Sequence, residues 1–200
     1  MFQQSRIYTS FGGPTSPEMH PTNSALINAF PAVLRDNAVR AVSVFPETPH
    51  ASQVFSVRVA DESVALPYRI YHNPALINSA SLSSVEKELV ECLLTRHHDG
   101  IVREEHLRRI ISRDHIWIPP FVVQLVGEYV IEILQLIQQN LNLLNTAMYA
   151  QFLRSNPELL ARTKQRVTSY WNCYYRNSTR EDYVGFRVLA FFDSLVGKTR

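Results

Sequence analysis

Hydrophobic and polar positions change their period twice along this chain of 200 residues. Up to about residue 50 they follow no regular period, and six of the eleven prolines and the Gly12-Gly13 pair lie there. Turn-forming residues at that density do not sustain a helix. We therefore predict an irregular, Pro-rich N-terminal arm over residues 1–50, partly ordered against the main body. Within it we expect one short helix from Ser24 to Leu34, with Ser24 as N-cap and Pro31 as an interruption.

Over residues 51–74 the hydrophobic period becomes two. The apolar residues Phe55, Val57 and Val59 alternate with their neighbours, as a half-buried strand requires. A polar break follows, and then a second β-rich run that contains Pro67 and extends to Tyr71. We predict a β-hairpin whose second strand is an edge, or irregular, at its proline. A two-stranded ribbon is marginal alone, so it must lean on the helices or gain a strand from the arm.

From residue 75 onward the period is that of an α-helix. One predicted segment is apolar around most of its circumference, which is typical of a buried helix. The sequence therefore predicts a mainly α domain over residues 75–200: a multi-helix bundle or helical array around a buried central helix, preceded by the hairpin and the arm. The predicted helices run from Ser83 or Ser84 to His97, Val102 to Ser112, Pro120 to Asn140 (the central helix), Thr146 to Ser155, Pro157 to Arg176 and Glu181 to Val196.

Composition narrows the class of protein without identifying it. A chain with 46% hydrophobic and 19% charged residues can bury a sizeable core, and its net charge of +2 is too small to indicate nucleic acid by itself. Cys92 and Cys173 form neither a disulfide framework nor a metal-ligand spacing, which favours a reducing, cytoplasmic location. The apolar stretch from Ile116 to Ile137 contains Glu128 and Glu132, whose insertion into a bilayer is costly, so we expect no membrane association.

Titratable side chains gather at the turn between the first two predicted helices. Two histidines, His97 and His98, adjoin Asp99, and His106 follows on the next helix. Such residues are potential metal ligands, but ligands must converge at about 2 Å and adjacent side chains rarely do so. We favour the alternative that Arg96, His97 and His98 mark a helix end, where cations interact well with the helix dipole. No cofactor is predicted.

Glu128 and Glu132 are carboxylates four residues apart on the predicted central helix. Di-iron bundles use inward carboxylates, but they combine them with Glu-x-x-His pairs on neighbouring helices, which this helical region lacks. We therefore predict that the two glutamates form ion pairs across the helical hairpin, which would fix its register more than its stability. The candidate partners are Arg96, Arg103, Arg108 and Arg109.

The segment 154–187 combines arginines with tyrosines and a tryptophan. Interleaved arginines and aromatic rings can clamp and stack on nucleic acid. Aromatic residues at helical spacing belong more often to a core, and we favour that interpretation. No Gly-x-Ser-x-Gly elbow and no phosphate-binding glycine loop is present.

One helical hairpin resembles a known repeat. Asp99-Gly100-Ile101-Val102-Arg103, followed by Leu107 and Ile110-Ile111, resembles the start of the inner helix of a HEAT repeat, within residues 84–113. This resemblance implies a HEAT-like helical array as one form of the mainly α fold. The same helix-turn-helix order is similar to that of winged-helix proteins, but the helix that follows is too apolar to enter a DNA groove.

Three functions remain open at this point. The abundance of helical core without a coherent catalytic set favours a non-enzymatic, intracellular protein-interaction module, with self-association as one form of it. The second is a metal-binding protein or enzyme that uses His97, His98 and Asp99 with Glu128 and Glu132. The third is nucleic-acid binding through segment 154–187. Low-priority binding or ion-pair candidates are Arg96, His97, His98, Asp99, Arg103, His106, Glu128 and Glu132.

Overall fold

A computed structural model describes residues 23–48 and 52–197. Within those ranges the chain forms nine α-helices and one two-stranded antiparallel sheet. The predicted fold class, mainly α with a small β-hairpin, is confirmed. None of the helices in the described part of the chain is long and apolar enough to cross a membrane.

The described part of the arm is largely helical between residues 24 and 42, which corrects the prediction of an irregular arm there. Helix α1 spans Ser24–Ile27, a 3₁₀ turn spans Ala32–Leu34, and helix α2 spans Arg35–Val42. Pro31 lies in the non-helical stretch between α1 and the 3₁₀ turn, so the helix predicted from Ser24 to Leu34 is interrupted there as expected. The N-cap position of α1 is Asn23, not Ser24, and α2 packs on the first helix of the main body. The rest of the predicted arm lies outside the described residues.

The hairpin consists of strands β1 (Val54–Val59) and β2 (Glu62–Pro67). Val59 pairs with Glu62 across a two-residue turn in which Ala60 has a positive φ of 51°. The predicted alternation is present, because Phe55, Val57 and Val59 are buried and their neighbours along β1 are exposed. The second strand is shorter than predicted, since it ends at Pro67, and beyond it Ile70 forms a single parallel bridge with His97.

The two outer edges of the hairpin bind different partners. On β2 the Ala65 amide donates to the Asn28 carbonyl (2.8 Å), and Pro67 has no amide hydrogen to offer. On β1 the side-chain amide of Asn156 accepts from the Arg58 N–H and donates to the Arg58 carbonyl, both at 2.8 Å. Asn156 thus pairs with one β1 residue in the way a neighbouring strand would.

The predicted helical hairpin is formed by α3 (Ser84–Leu94) and α4 (Gly100–Ile110), which pack against each other. Ser83 and Glu86 form a capping box that starts α3, and the Asp99 carboxylate accepts from the Ile101 amide to start α4. The serine cap explains why the start of α3 was predicted well, whereas α4 begins and ends two residues before its predicted bounds, Val102 and Ser112. Helix α3 ends at Leu94, three residues before the predicted end.

The predicted central helix is two buried helices, α5 (Pro119–Val126) and α6 (Ile131–Gln139). The chain leaves helical geometry at Gly127, where a Cβ atom would lie 3.0 Å from the Arg166 side chain, and Val130 is extended. Glu128 therefore lies in the connection and not on a helix. The predicted placement of Glu128 and Glu132 on one polar stripe is wrong for this reason.

Three further helices complete the fold: α7 (Thr146–Ser155), α8 (Pro157–Tyr174) and α9 (Val184–Val196). Helix α7 has the predicted bounds, whereas α8 ends two residues early and α9 begins three residues late. Helix α9 packs on α6 and α7, and α8 packs on α5. The α5–α6 connection consequently lies between the end of β2, the α3–α4 turn and α8.

Candidate functional site

Glu128 is the centre of a buried group of charges. Only 2% of its side chain is exposed, and its Oε2 accepts from Nη2 of Arg69 at 2.5 Å. Nη2 of Arg96 lies 3.6 Å from Oε1, and Nη2 of Arg103 lies 3.5 Å from Oε2. We call Arg69, Arg96, Arg103 and Glu128 the Glu128 cluster. It brings the end of β2, the end of α3 and the start of α4 to the connection between α5 and α6.

Arg96 is fully buried and binds the backbone at the end of β2. Its Nε donates to the Pro67 carbonyl (3.1 Å), and its Nη2 donates to the Tyr68 carbonyl (2.9 Å). Burial lowers the pKa of Arg96 to about 9, against the opposing effect of Glu128. The guanidinium is therefore still charged near neutral pH, and its main role is to hold the irregular backbone after β2.

Arg103 is also fully buried and holds the α3–α4 turn. Its Nη1 donates to the carbonyls of His97 and His98, both at 2.8 Å. Its Nε and Nη2 make no hydrogen bond within the described residues, although Nη2 lies close to Glu128. Burial lowers the pKa of Arg103, and Glu128 raises it. The carboxylate thus stabilises a guanidinium that would otherwise be buried without a counter-charge.

Charge is not balanced in the Glu128 cluster. Three arginines and one glutamate give 3 − 1 = +2, and Arg166 from α8 is close enough to lower the Arg96 pKa by repulsion. The region beneath the α5–α6 connection is therefore electropositive, and it favours negative charge at the adjoining surface.

The predicted histidine-aspartate group is part of the turn and not a set of converging ligands. His97 Nε2 donates to the His72 carbonyl (2.9 Å), while its Nδ1 accepts from the Asp99 amide (3.1 Å). The Asp99 carboxylate caps α4, and His98 stacks on Tyr71 with ring centroids 5.2 Å apart. Among the described residues, no group of three His, Cys, Asp or Glu side chains could hold a metal ion.

A second buried histidine, His72, was not singled out from the sequence. Its Nε2 lies 2.8 Å from Oδ1 of Asn23, whose amide nitrogen donates to the carbonyls of Phe45 and Pro46. Asn23 therefore presents its oxygen, and His72 Nε2 is the donor. Burial lowers the pKa of both His72 and His97, which favours the neutral form of each. Asn23 ties the N-terminal helices to this layer.

The remaining candidates lie elsewhere. His106 pairs through Nδ1 with Glu91, which also pairs with Arg109, and Arg108 pairs with Glu104. Glu132 is exposed on α6. The structure thus brings Arg96, His97, Asp99, Arg103 and Glu128 together with His98, and it separates His106 and Glu132 from them. Arg69 is the member that sequence analysis missed, because its strand context indicated no charged role.

A different surface is exposed along α8. Arg162, Arg166, Tyr170 and Tyr174 recur every four residues and so follow one side of this helix. Tyr129, from the α5–α6 connection, lies beside them, with its ring 6.0 Å from Tyr170, which is 6.3 Å from Tyr174. We call these five residues the α8 face. Tyr129 is 52% exposed and Tyr174 is 68% exposed, so the expectation that these rings belong to the core does not hold for them.

The two arginines of the α8 face contact aromatic rings and not carboxylates. The Arg166 guanidinium lies 5.7 Å from the Tyr68 ring centre, and that of Arg162 lies 5.8 Å from the Phe55 ring centre. Arg162 also donates to the Tyr68 hydroxyl at 3.4 Å. Neither arginine is ion-paired within the part of the chain that the structure describes. Their charges are therefore available to another molecule.

Comparison of the chain with protein family models, with curated proteins and with solved structures finds no match.

Proposed function

We propose that this chain is a non-enzymatic protein-interaction module and that the α8 face is its binding surface. The single observation that supports the proposal most is the row of tyrosines on the α8 face beside two arginines that have no acidic partner among the described residues. Tyrosine and arginine are enriched among residues that dominate binding energy, because each offers a large contact area together with hydrogen bonding.

The buried positive charge next to the α8 face indicates what kind of partner would bind there. The Glu128 cluster carries an excess of +2, and Tyr129 is the next residue after its carboxylate. A partner with acidic side chains would approach a surface whose field attracts it, which mainly increases the association rate. We therefore expect binding to weaken as ionic strength rises.

The state of the reactive groups supports a non-catalytic role. His97 and Asp99 are committed to hydrogen bonds with backbone, and Glu128 to its arginines. Burial raises the pKa of the Cys92 thiol, which disfavours the thiolate that a nucleophile needs. Cys173 is an exposed free thiol, which fits the intracellular, reducing location that we propose.

Single-stranded nucleic acid is a second candidate for the same face. Arginines in line with stacked tyrosines are also the arrangement on which bases stack and phosphates bind. The two candidates differ in their salt dependence, because each neutralised phosphate of a single strand contributes about 0.7 to the slope of log K against log salt. Titration of a fluorescent oligothymidine at several salt concentrations separates them, and absence of binding removes the second.

Photo-crosslinking tests the main proposal. We would replace Tyr174 with the photoreactive amino acid p-benzoylphenylalanine and irradiate the protein in extract of its source cells. A discrete protein adduct is expected from position 174, and none from position 105, which is an exposed glutamate on α4. Arg166→Ala together with Tyr129→Ala should remove the adduct. Equal labelling at both positions, or an adduct that survives these substitutions, would contradict the proposal.

Self-association is one form of the same proposal. Sedimentation velocity over a wide concentration range would detect it. If the protein is its own partner, Tyr174→Ala should shift the equilibrium towards monomer, whereas Glu105→Ala should leave it unchanged. A monomer at all concentrations directs the search to another protein.

A further inference from the structure

The outer edge of β1 has backbone groups that no described residue binds. Arg58 directs its N–H and its carbonyl away from β2, because both bond to Asn156. In an antiparallel pair, residues alternate between facing the partner strand and facing outward. Val54 and Ser56 therefore present their N–H and carbonyl groups to the same outer side as Arg58. No hydrogen bond from this outer side to either residue is found in the described structure.

The opposite edge of the hairpin is partly closed. Asn28 binds the Ala65 amide, proline removes the donor at position 67, and Arg96 binds the Pro67 carbonyl. Ser63, opposite Arg58, faces outward without a backbone hydrogen bond among the described residues. Proteins usually block or cover edge strands, because open ones pair with other chains. On β1 the two successive outward-facing residues Val54 and Ser56 are available for such pairing.

A groove runs along the open edge. It has a volume of about 250 Å³ and separates β1 from the start of α8. Ser56, Arg58 and Ser63 line it from the hairpin, and Asn156, Glu158 and Arg162 line it from the α7–α8 side. Val54 near its end is 47% exposed, a large apolar side chain without cover.

The charges in the groove select the chemistry of its occupant. Arg58 and Arg162 are not ion-paired within the described residues, and Glu158 is the one acidic residue of the lining, which leaves 2 − 1 = +1. The serine hydroxyls add neutral donors. An acidic side chain on an inserted strand would lie between the two guanidiniums, and an alternate apolar side chain would cover Val54.

We propose that an acidic, extended segment of the partner protein adds to β1 as a third strand, with a carboxylate between Arg58 and Arg162. This inference rests on the proposed function, since Arg162 belongs to both the groove and the α8 face. Main-chain hydrogen bonds to Val54 and Ser56 supply affinity, and the arginines supply specificity, as in other cases of strand addition. Asn156 marks the end of the added strand, because it already occupies the edge at Arg58.

The probe is a synthetic capped hexapeptide of alternating valine and glutamate, added to ¹⁵N-labelled full-length protein. Hydrogen exchange of the Ser56 amide should slow at least about tenfold at saturation, because a new strand protects it. The Val57 amide faces β2 and should not change. The same peptide with lysine in place of glutamate should not bind.

Two variants make the test specific. Arg162→Glu should weaken peptide binding at least about tenfold, whereas Arg108→Glu, the same charge change on α4, should leave it unchanged. Ser56→Pro removes an outward N–H without removing a hydrogen bond to β2, and it should abolish binding. If that variant fails to fold, the exchange measurement and the Arg162→Glu variant still test whether a strand adds to β1.

Several results would overturn the proposal. Ser56 protection in the free protein that grows with concentration would mean that a second copy occupies the edge, and protection at all concentrations would mean that the chain itself does. No peptide binding up to about 1 mM would also refute strand addition. If the adduct at position 174 persists in that case, the interaction module stands without the strand. If both are absent, the proposed function fails as well.

Discussion

The Glu128 cluster and the α8 face are both rich in arginine, and the protein uses this residue in opposite ways in the two places. In the Glu128 cluster the guanidiniums of Arg96 and Arg103 are fully buried and bond to five backbone carbonyls at strand and helix ends. On the α8 face, Arg162 and Arg166 lie over aromatic rings and pair with no carboxylate among the described residues. Buried arginine here binds irregular backbone, whereas arginine on the α8 face contacts aromatic rings, which is the arrangement that we propose for partner binding.

Removal of the shared carboxylate is the strongest test of this contrast. Glu128→Gln leaves Arg96 and Arg103 buried without a counter-charge, so the free energy of unfolding should fall by about 3–5 kcal/mol. Urea denaturation followed by circular dichroism measures it. Glu132→Gln, an exposed control, should change it by less than about 0.5 kcal/mol. Similar small losses for both variants would mean that the Glu128 cluster is no more structural than the surface.

Acid should weaken the layer that adjoins the Glu128 cluster. The pKa values of His72 and His97 are lowered in the folded protein, so the unfolded chain binds more protons as the pH falls. Their stabilising contribution is complete above the unfolded pKa of about 6.5, and it is lost as the pH falls towards the folded values. Urea midpoints should therefore decrease from about pH 7.5 to about pH 5.5.

The His97→Gln variant distinguishes the loss of stability caused by histidine protonation from the loss caused by carboxylate protonation. Glu86 and Glu91 also have lowered pKa values, but they titrate below the ordinary glutamate range, so their effect lies at lower pH. His97→Gln should lose less stability over the histidine range than the parent protein does. An unchanged pH dependence in that variant would show that the buried histidines are not the titrating groups.

Asp99 tests whether the histidine-aspartate turn is a cap or a ligand site. Asp99→Ala removes the acceptor for the Ile101 amide and should cost about 1 kcal/mol of stability. Asp99→Asn keeps an acceptor at the cap and should cost only a few tenths of a kcal/mol. Zinc or iron that copurifies with the parent protein and is lost equally in both variants would instead indicate a ligand.

Substitutions on the α8 face should change the free energy of unfolding least. Tyr174→Ala removes a ring that is 68% exposed, and the free energy of unfolding should change by less than about 0.5 kcal/mol. If the protein is its own partner, the same variant should nonetheless lose most of the self-association measured by sedimentation velocity. A large stability loss would place Tyr174 in the structural class with the Glu128 cluster and weaken the contrast between the two regions.

Local signals carried most of the successful prediction of the fold. The serine cap of α3 and the alternation of β1 act within a few residues, and the elements that they predicted are present. The break between α5 and α6 was missed because apolar residues continue on both sides of it, although Gly127, a poor helix former, lies at the break. The close approach of Arg166 from α8 to the backbone at Gly127 could not be seen in the sequence.

The candidate site could be predicted from the sequence only in part. Arg96 and Arg103 were named as partners for the glutamates, and both lie against Glu128 in the structure. The role of Arg69 depends on how the chain after β2 passes Glu128, 59 positions further along the sequence. The contact of His72 with Asn23 likewise joins residues far apart, and no spacing rule connects them.

The bond between Asn156 and Arg58 has a consequence for how the protein is made. The two residues are 98 positions apart, and the hairpin that they join is marginal without support from the helices. A ribosome releases the hairpin long before it releases Asn156, at about 5–20 residues per second. The β1 edge at Arg58 therefore stays uncovered for about 5–20 seconds, and chaperones that bind extended segments have an opportunity during that interval.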